Sequence, residues 1–296
     1  MLPTFIGLGA PKCATTWLFH CLDAHPEVFV ADVKETNFFV FDTIEGRLDE
    51  YTAHFEDVSN EDAVGELSVS YIYSDVAPQR IHRHVPDVRL FASLRNPIDQ
   101  VYSLYWHRQR QNFHQWHLEP ALEIDSFEKA LDVFGDKLFD PCRHYSNLQR
   151  WLQHFDRSQL RVLLLDDIKE DAGREIAKLY EHIGVDPSFQ PDSMQDTGRS
   201  ARRGTSPHGP LIERARQVLY HVLTRYAYHP LKRTIGQYTA DRIKETLRLR
   251  QVMERLFRRD GYPEMDLDVR VRLRSEFEDE IRGLESLLDR DLSHWT

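Results

Sequence analysis

Short apolar runs at Thr4–Leu8, Ala63–Val69, Val88–Leu94 and Leu160–Leu165 read as strands. Between them, apolar residues recur at helical spacing over Thr15–Ala24, Ser74–His84, Pro97–Arg110, Ser126–Phe134, His144–Phe155 and Asp171–His182. Asn96 before Pro97 fits an N-cap followed by proline at the first helical position. Gly184 closes the last of these helices. Short strands alternating with helices predict an α/β fold, a three-layer parallel sheet flanked by helices. Ligands of such sheets bind beyond the strand C-termini. Gly9, Glu66 and Arg95 fall there. After Pro191 the pattern changes to a polar, basic loop, DTGRSARRGTSPHGP. Three long helical patterns follow, near Pro210–Tyr228, Gln237–Arg258 and Asp268–Leu288. The chain therefore reads as one domain over residues 1–296, with a core of about 1–190 and a helical extension over about 191–296.

Composition narrows the function. Hydrophobic content of 41% is ordinary for a globular protein. A formal net charge of −10 argues against wholesale nucleic-acid binding. A few local cations can still hold a small polyanion. Cys13, Cys21 and Cys142 are too few for a disulfide framework and fit a reducing compartment. No apolar stretch approaches the roughly 20 residues of a membrane span. The first apolar run leads at once into a polar loop, so no leader is expected, and the expected location is cytoplasmic.

That loop lies within Phe5–Trp17, FIGLGAPKCATTW. A strand, a tight loop and a helix N-terminus make an anion cradle, because loop N–H groups and the helix dipole both face it. A Walker loop reads G-x-x-x-x-G-K-[ST]. Counted from Gly9, its last three places here hold Ala14, Thr15 and Thr16, and the loop lysine, Lys12, comes earlier. This argues against a magnesium-dependent kinase or GTPase. Lys12 would reach a different phosphate oxygen. Three more segments carry chemistry. Lys34-Glu35-Thr36-Asn37-Phe38-Phe39 sets a carboxylate beside a cation. Gly65-Glu66-Leu67-Ser68-Val69-Ser70-Tyr71 ends an apolar run on polar groups. In Arg89–Ser103, Arg95 at a strand end suits bidentate phosphate contacts. Ser103 follows eight residues later, near two helical turns, so both can face one side.

Together these segments resemble the sulfotransferases that use 3′-phosphoadenosine-5′-phosphosulfate (PAPS), of the bacterial and heparan-sulfate type. The resemblance implies a fold related to nucleotide kinases and a metal-free reaction. G-x-P-K-x-x-T-T-W is similar to the family's 5′-phosphosulfate loop. It implies that Cys13, Ala14, Thr15, Thr16 and Trp17 hold the 5′-phosphate, and that Lys12 stabilises the leaving phosphate. By the same resemblance, Glu35 is the base, Lys34 its electrostatic support, and Phe38, Glu66, Ser68 and Tyr71 line the acceptor pocket. Leu67 and Val69 stand where many relatives have lysine and proline, and the missing lysine speaks against a heparan-type acceptor. Arg95 and Ser103 match the 3′-phosphate motif, and Arg199, Arg202 and Arg203 a late basic loop over the nucleotide.

Two histidine and tail features complete the reading. His107, His114 and His117 lie beside Trp106 and Trp116 in a stretch suited to an acceptor lid, and His107 is a second candidate base. The H-x-x-H there lacks carboxylate and cysteine partners, so no metal site is expected. Asp291-Leu292-Ser293-His294-Trp295 is similar to a tail found in many bacterial members and reads as packing. The implied reaction moves a sulfuryl group from PAPS to an acceptor hydroxyl of a carbohydrate, lipid or small natural product, releasing PAP. A kinase-like phosphotransferase and a non-enzymatic nucleotide-binding scaffold are the rival readings. The amphipathic C-terminal helices permit a homodimer.

Overall fold

The four predicted strands lie in one sheet, and a fifth joins them. The structure, a computed structural model, describes residues 1–110, 124, 126–191, 205–207 and 258–295. Strands β1 (Phe5–Gly7), β2 (Val28–Val30), β3 (Ala63–Leu67), β4 (Arg89–Leu94) and β5 (Leu160–Leu164) run in the order β2-β3-β1-β4-β5. Every neighbouring pair is parallel. All residues of β1 and β3 are buried, as is β4 beyond Arg89. A parallel sheet covered on both faces needs such near-continuous apolar strands. β2 escapes the sequence pattern because its short apolar run is hemmed in by Glu27 and Asp32.

The helices are α1 (Thr15–Asp23), α2 (Leu48–Thr52), α3 (Ala77–His84), α4 (Pro97–Arg110), α5 (Phe127–Phe139), α6 (His144–Leu152), α7 (Leu165–Glu170), α8 (Ala172–Ile183) and α9 (Leu267–Leu288). α3 starts later than Ser74 because the Ser74 hydroxyl accepts the N–H groups of Val76 and Ala77 and so stands outside the helix. α5 runs on past Phe134 because Leu138 and Phe139 add buried apolar positions to the same stripe. Asp171 caps α8 by accepting the Arg174 N–H, and Gly184 closes it at φ +90°. α1 and α8 pack together on Phe5, Leu67, Phe91 and Leu163 of the strands.

The chain divides into two compact units. The first comprises Met1–Tyr105, Phe127–Arg202 and Met265–Thr296, and holds the sheet. It also includes α9, tied to the start of α6 where Arg143 meets Glu276 at 3.2 Å and the Ser146 N–H meets Glu280 at 3.1 Å. The second unit comprises Trp106–Ser126 and Arg203–Glu264. Its described part includes an antiparallel pair, β6 (Thr205–Pro207) and β7 (Arg258–Asp260). The helical patterns expected over Pro210–Tyr228 and Gln237–Arg258 lie outside the described residues, apart from Arg258 in β7. Among the described residues, no helix is long and apolar enough to cross a membrane.

Gly65 marks the tightest point of the sheet. It pairs with Phe5, and a Cβ there would lie 2.3 Å from the Phe5 carbonyl oxygen. That oxygen belongs to backbone and cannot swing aside. Gly65→Ala is expected to destabilise the fold by about 2 kcal/mol or more, as overpacked cores do. Urea unfolding checks this; a change under about 0.5 kcal/mol would contradict it.

Candidate active site

β1 leads into α1 through a loop whose carbonyls are tied down. The Pro11 carbonyl accepts Gln100 Nε2 at 3.0 Å and the Cys13 carbonyl accepts Ser93 Oγ at 2.6 Å. Backbone bonds join Ala10 N–H to the Ser93 carbonyl at 2.8 Å and Ser93 N–H to the Gly9 carbonyl at 2.7 Å. The end of β4, two residues before Arg95, is thus zipped to the loop. Lys12 and Ala14 take left-handed φ values of 68° and 62°. Non-glycine residues rarely adopt these, and they cluster where a ligand is held. α1 has no side-chain cap and no acidic residue in its first turn. Its first N–H groups therefore have no intrahelical acceptor, and the dipole's positive end is uncompensated. Trp17 is the exception, because its N–H returns to the Ala14 carbonyl at 2.9 Å and its indole sits in the core. Thr15 is buried and Thr16 exposed.

Cys13 is fully buried, and burial pushes its thiol up to about 12 against the opposing pull of Arg95 and Lys12. A thiol held neutral is a loop-filling group, not a nucleophile. That both cations act on it shows the loop and the Arg95 motif to be neighbours.

The Lys-Glu segment reaches the same place. The Lys34 ammonium lies 3.3 Å from Thr16 Oγ1 and 3.2 Å from Glu35 Oε1. Lys34 and Glu35 remain 25% and 38% exposed, so solvent and ligand reach them. Glu35 and Asn37 both take left-handed conformations, with φ of 70° and 52°. The Glu35 N–H donates to the Leu67 carbonyl at 2.9 Å, and the Asn37 N–H to Ser68 Oγ at 3.0 Å. The Asn37 side chain accepts from Ser70 and donates back to the Glu35 carbonyl at 2.9 Å.

Beneath this segment sits Glu66, fully buried in β3. Its carboxylate accepts four hydroxyls: Tyr51 and Tyr71 at 2.9 Å each, Ser68 at 2.8 Å and Thr36 at 2.5 Å. Burial raises its pKa and the hydroxyl bonds oppose that. A buried carboxylate is costly unless satisfied in this way. The structure thus places Glu66, Ser68, Tyr71 and Phe38 inside the protein, where they brace Lys34–Phe39 from below. Tyr51 and Thr36 belong to the same cluster. Thr36 lies within the Lys34–Phe39 motif, where its hydroxyl has no signal of its own in the sequence; Tyr51 carries no sequence signal at all.

Arg95 follows β4 directly. Its Nη2 lies 3.8 Å from Asp99, which Arg270 of α9 also engages at 2.9 Å. Its Nε is buried without a hydrogen-bond partner among the described residues. Its carbonyl meets His144 Nε2 at 2.8 Å. Ser103 is buried on α4. His107 lies on α4 in the second unit. Arg199, Arg202 and Arg203, with His114, His117 and Trp116, lie outside the described residues. Among the described residues, no cluster of His, Cys, Asp and Glu is arranged to hold a metal ion.

His144 gives the site a pH signature. It is 1% exposed, and burial holds it neutral with a pKa of about 4. Its unfolded value lies near 6.5. Folding therefore loses stability as pH falls from about 6.5 towards about 4, by at most about 1.4 kcal/mol per unit, because the unfolded chain binds the proton first. Unfolding free energies measured across that range should flatten in His144→Phe; an unchanged slope would contradict the assignment.

The chain has known relatives in sequence and in fold. A family model described as a sulfotransferase domain matches residues 3–201. The bifunctional heparan sulfate N-deacetylase/N-sulfotransferase 4 of Mus musculus is 26% identical over 205 residues, covering 64% of this chain and 23% of that protein. Carbohydrate sulfotransferase 15 of Homo sapiens is 24% identical over 306 residues, covering 81% of this chain and 54% of that protein. The chain thus spans about a quarter of the first relative's length and about half of the second's. A solved sulfotransferase from Alicyclobacillus acidocaldarius shares the fold, with a TM-score of 0.68 at 23% identity over 100% of this chain and 99% of that one. On the match to the greater part of its length, this chain belongs to the sulfotransferase domain family.

Proposed function

We propose that this chain moves a sulfuryl group from PAPS to an acceptor hydroxyl and releases PAP. The observation that carries the reading is Lys34, whose ammonium bridges Thr16 at the start of α1 and the Glu35 carboxylate. One cation thus joins a phosphate cradle to a candidate base. The residues fit a donor with phosphates at both ends of its ribose. The uncapped start of α1 suits the 5′-phosphate. The Arg95 guanidinium, partly exposed and with an Nε that has no partner among the described residues, suits a second phosphate, since a donor left without an acceptor is costly.

PAPS, when bound, supplies the sulfuryl group: its sulfur–oxygen bond to the 5′-phosphate breaks as a bond to the acceptor oxygen forms. Glu35 takes the proton from the acceptor hydroxyl. Lys12 stabilises the negative charge that grows on the departing phosphate. The Lys34 ammonium has three donors, and Thr16 and Glu35 use two, leaving one for a sulfuryl oxygen. The glutamate cluster around Glu66 holds the left-handed Glu35 in place. A carbohydrate is the acceptor class this reading favours, because relatives are named for heparan sulfate and carbohydrate sulfation. Leu67, where the resemblance leads one to expect a lysine, speaks against a heparan-type acceptor.

Calorimetry without metal tests the donor site. PAP is expected to bind more tightly than ATP with Mg²⁺, and Arg95→Ala to weaken PAP about 10- to 100-fold, the scale of a lost charge-assisted bond. Preference for magnesium-ATP would instead support a kinase-like enzyme. Glu35→Gln separates binding from chemistry. It should leave PAP affinity within about threefold yet lower turnover about 10²- to 10⁴-fold in a PAPS-consumption assay over a carbohydrate panel. Undiminished turnover would remove Glu35 as the base.

A further inference from the structure

We propose that the C-terminal tail Asp291–Trp295 and His144 form a clamp that positions Arg95 and so sets the preference for a nucleotide bearing a second phosphate. The proposal rests on the sulfotransferase reading above. Arg95 and Asn96 form the joint between β4 and α4, outside both elements, and the Asn96 carbonyl accepts the first helical bond of α4, from the Gln100 N–H at 3.0 Å. Pro97 stiffens the joint but supplies no donor. Further fixation comes from remote parts of the chain. His144 Nε2 donates to the Arg95 carbonyl at 2.8 Å, and because the partner is a carbonyl that nitrogen carries the hydrogen. Asn96 Oδ1 accepts the Ile98 N–H at 2.9 Å while its Nδ2 donates to the Trp295 carbonyl at 3.0 Å. Asp99 is shared between the Arg95 and Arg270 guanidinium groups at 3.8 Å and 2.9 Å.

The tail is built to hold that carbonyl still. Trp295 is 1% exposed, its Nε1 donates to Asp166 at 2.8 Å, and its ring packs edge-on to His144 at 6.4 Å. Leu292 is fully buried, and its N–H donates to Glu285 at 2.8 Å. A tail that served packing alone would need no bond to the joint. Here its backbone bonds the residue next to Arg95, and His144, which its indole covers, bonds Arg95 itself. His144 and Trp295 act through Arg95 and are positioning residues.

The test compares PAP with adenosine 5′-phosphate, which lacks the second phosphate, by calorimetry. The proteins are wild type, His144→Phe, and a chain ending at Arg290, with thermal unfolding to confirm that each is folded. The two variants fail independently, since His144→Phe removes the donor but keeps an aromatic ring and the tail. PAP affinity is expected to fall about 3- to 30-fold in both, the usual reach of residues that act without touching ligand. Adenosine 5′-phosphate affinity should stay within about twofold. His144→Gln, which keeps a side-chain donor, should recover part of the loss. Equal losses for both nucleotides, or no loss for either, would overturn the clamp and leave the donor site standing. A wild type that does not prefer PAP, or a preference that survives Arg95→Ala, would overturn the clamp and the donor-site reading together.

Discussion

The turn from β1 into α1 is the constraint on which the site depends. β1 lies at the centre of the sheet, with β3 on one side and β4 on the other. The chain must leave the strand and enter a helix without a side-chain cap. It does so by committing the Pro11 and Cys13 carbonyls to Gln100 and Ser93, and by two left-handed residues. Carbonyls turned into the protein leave the helix-start N–H groups facing out. Such a backbone geometry suits an anion before any cation is added.

The two neighbouring strands then deliver the side chains. β4 ends beside the loop and hands over Arg95. β3 ends on Leu67, which with the following Ser68 holds Glu35 and Asn37 by backbone and hydroxyl bonds. A left-handed glutamate costs about 1–2 kcal/mol. Glu66 offsets it through a satisfied, buried carboxylate that cross-links α2, β3 and the Lys34–Phe39 segment. Charge inside the protein here serves geometry, and the paired charges of Lys34 and Glu35 stay partly exposed.

Much of this was legible in the chain because the elements that carry it are local. Each of the four strands expected from the sequence keeps an apolar run, and α4 begins at Pro97 as its N-cap and proline indicate. The loop, Lys34-Glu35 and Arg95 are contiguous motifs, so their approach follows once the strands are parallel neighbours. What was not legible depends on long separations. Tyr51 meets Glu66 across a non-repetitive segment, and Asn96 meets Trp295 across 199 positions. No periodicity announces such pairs. The polar character of Glu66, Ser68 and Tyr71 reads equally well as pocket lining or buried scaffold, and only burial distinguishes the two. The histidine and arginine stretches at 111–123 and 192–204 lie outside the described residues.

The measurement that tests the central claim most directly is a crystal structure with PAP bound. The account predicts the 5′-phosphate at the N-terminus of α1, within hydrogen-bonding reach of the loop N–H groups, and the 3′-phosphate on Arg95. It also predicts Glu35 and Lys34 on the open side of the 5′-phosphate. Nucleotide lodged elsewhere, or bound with the 3′-phosphate remote from Arg95, would contradict it.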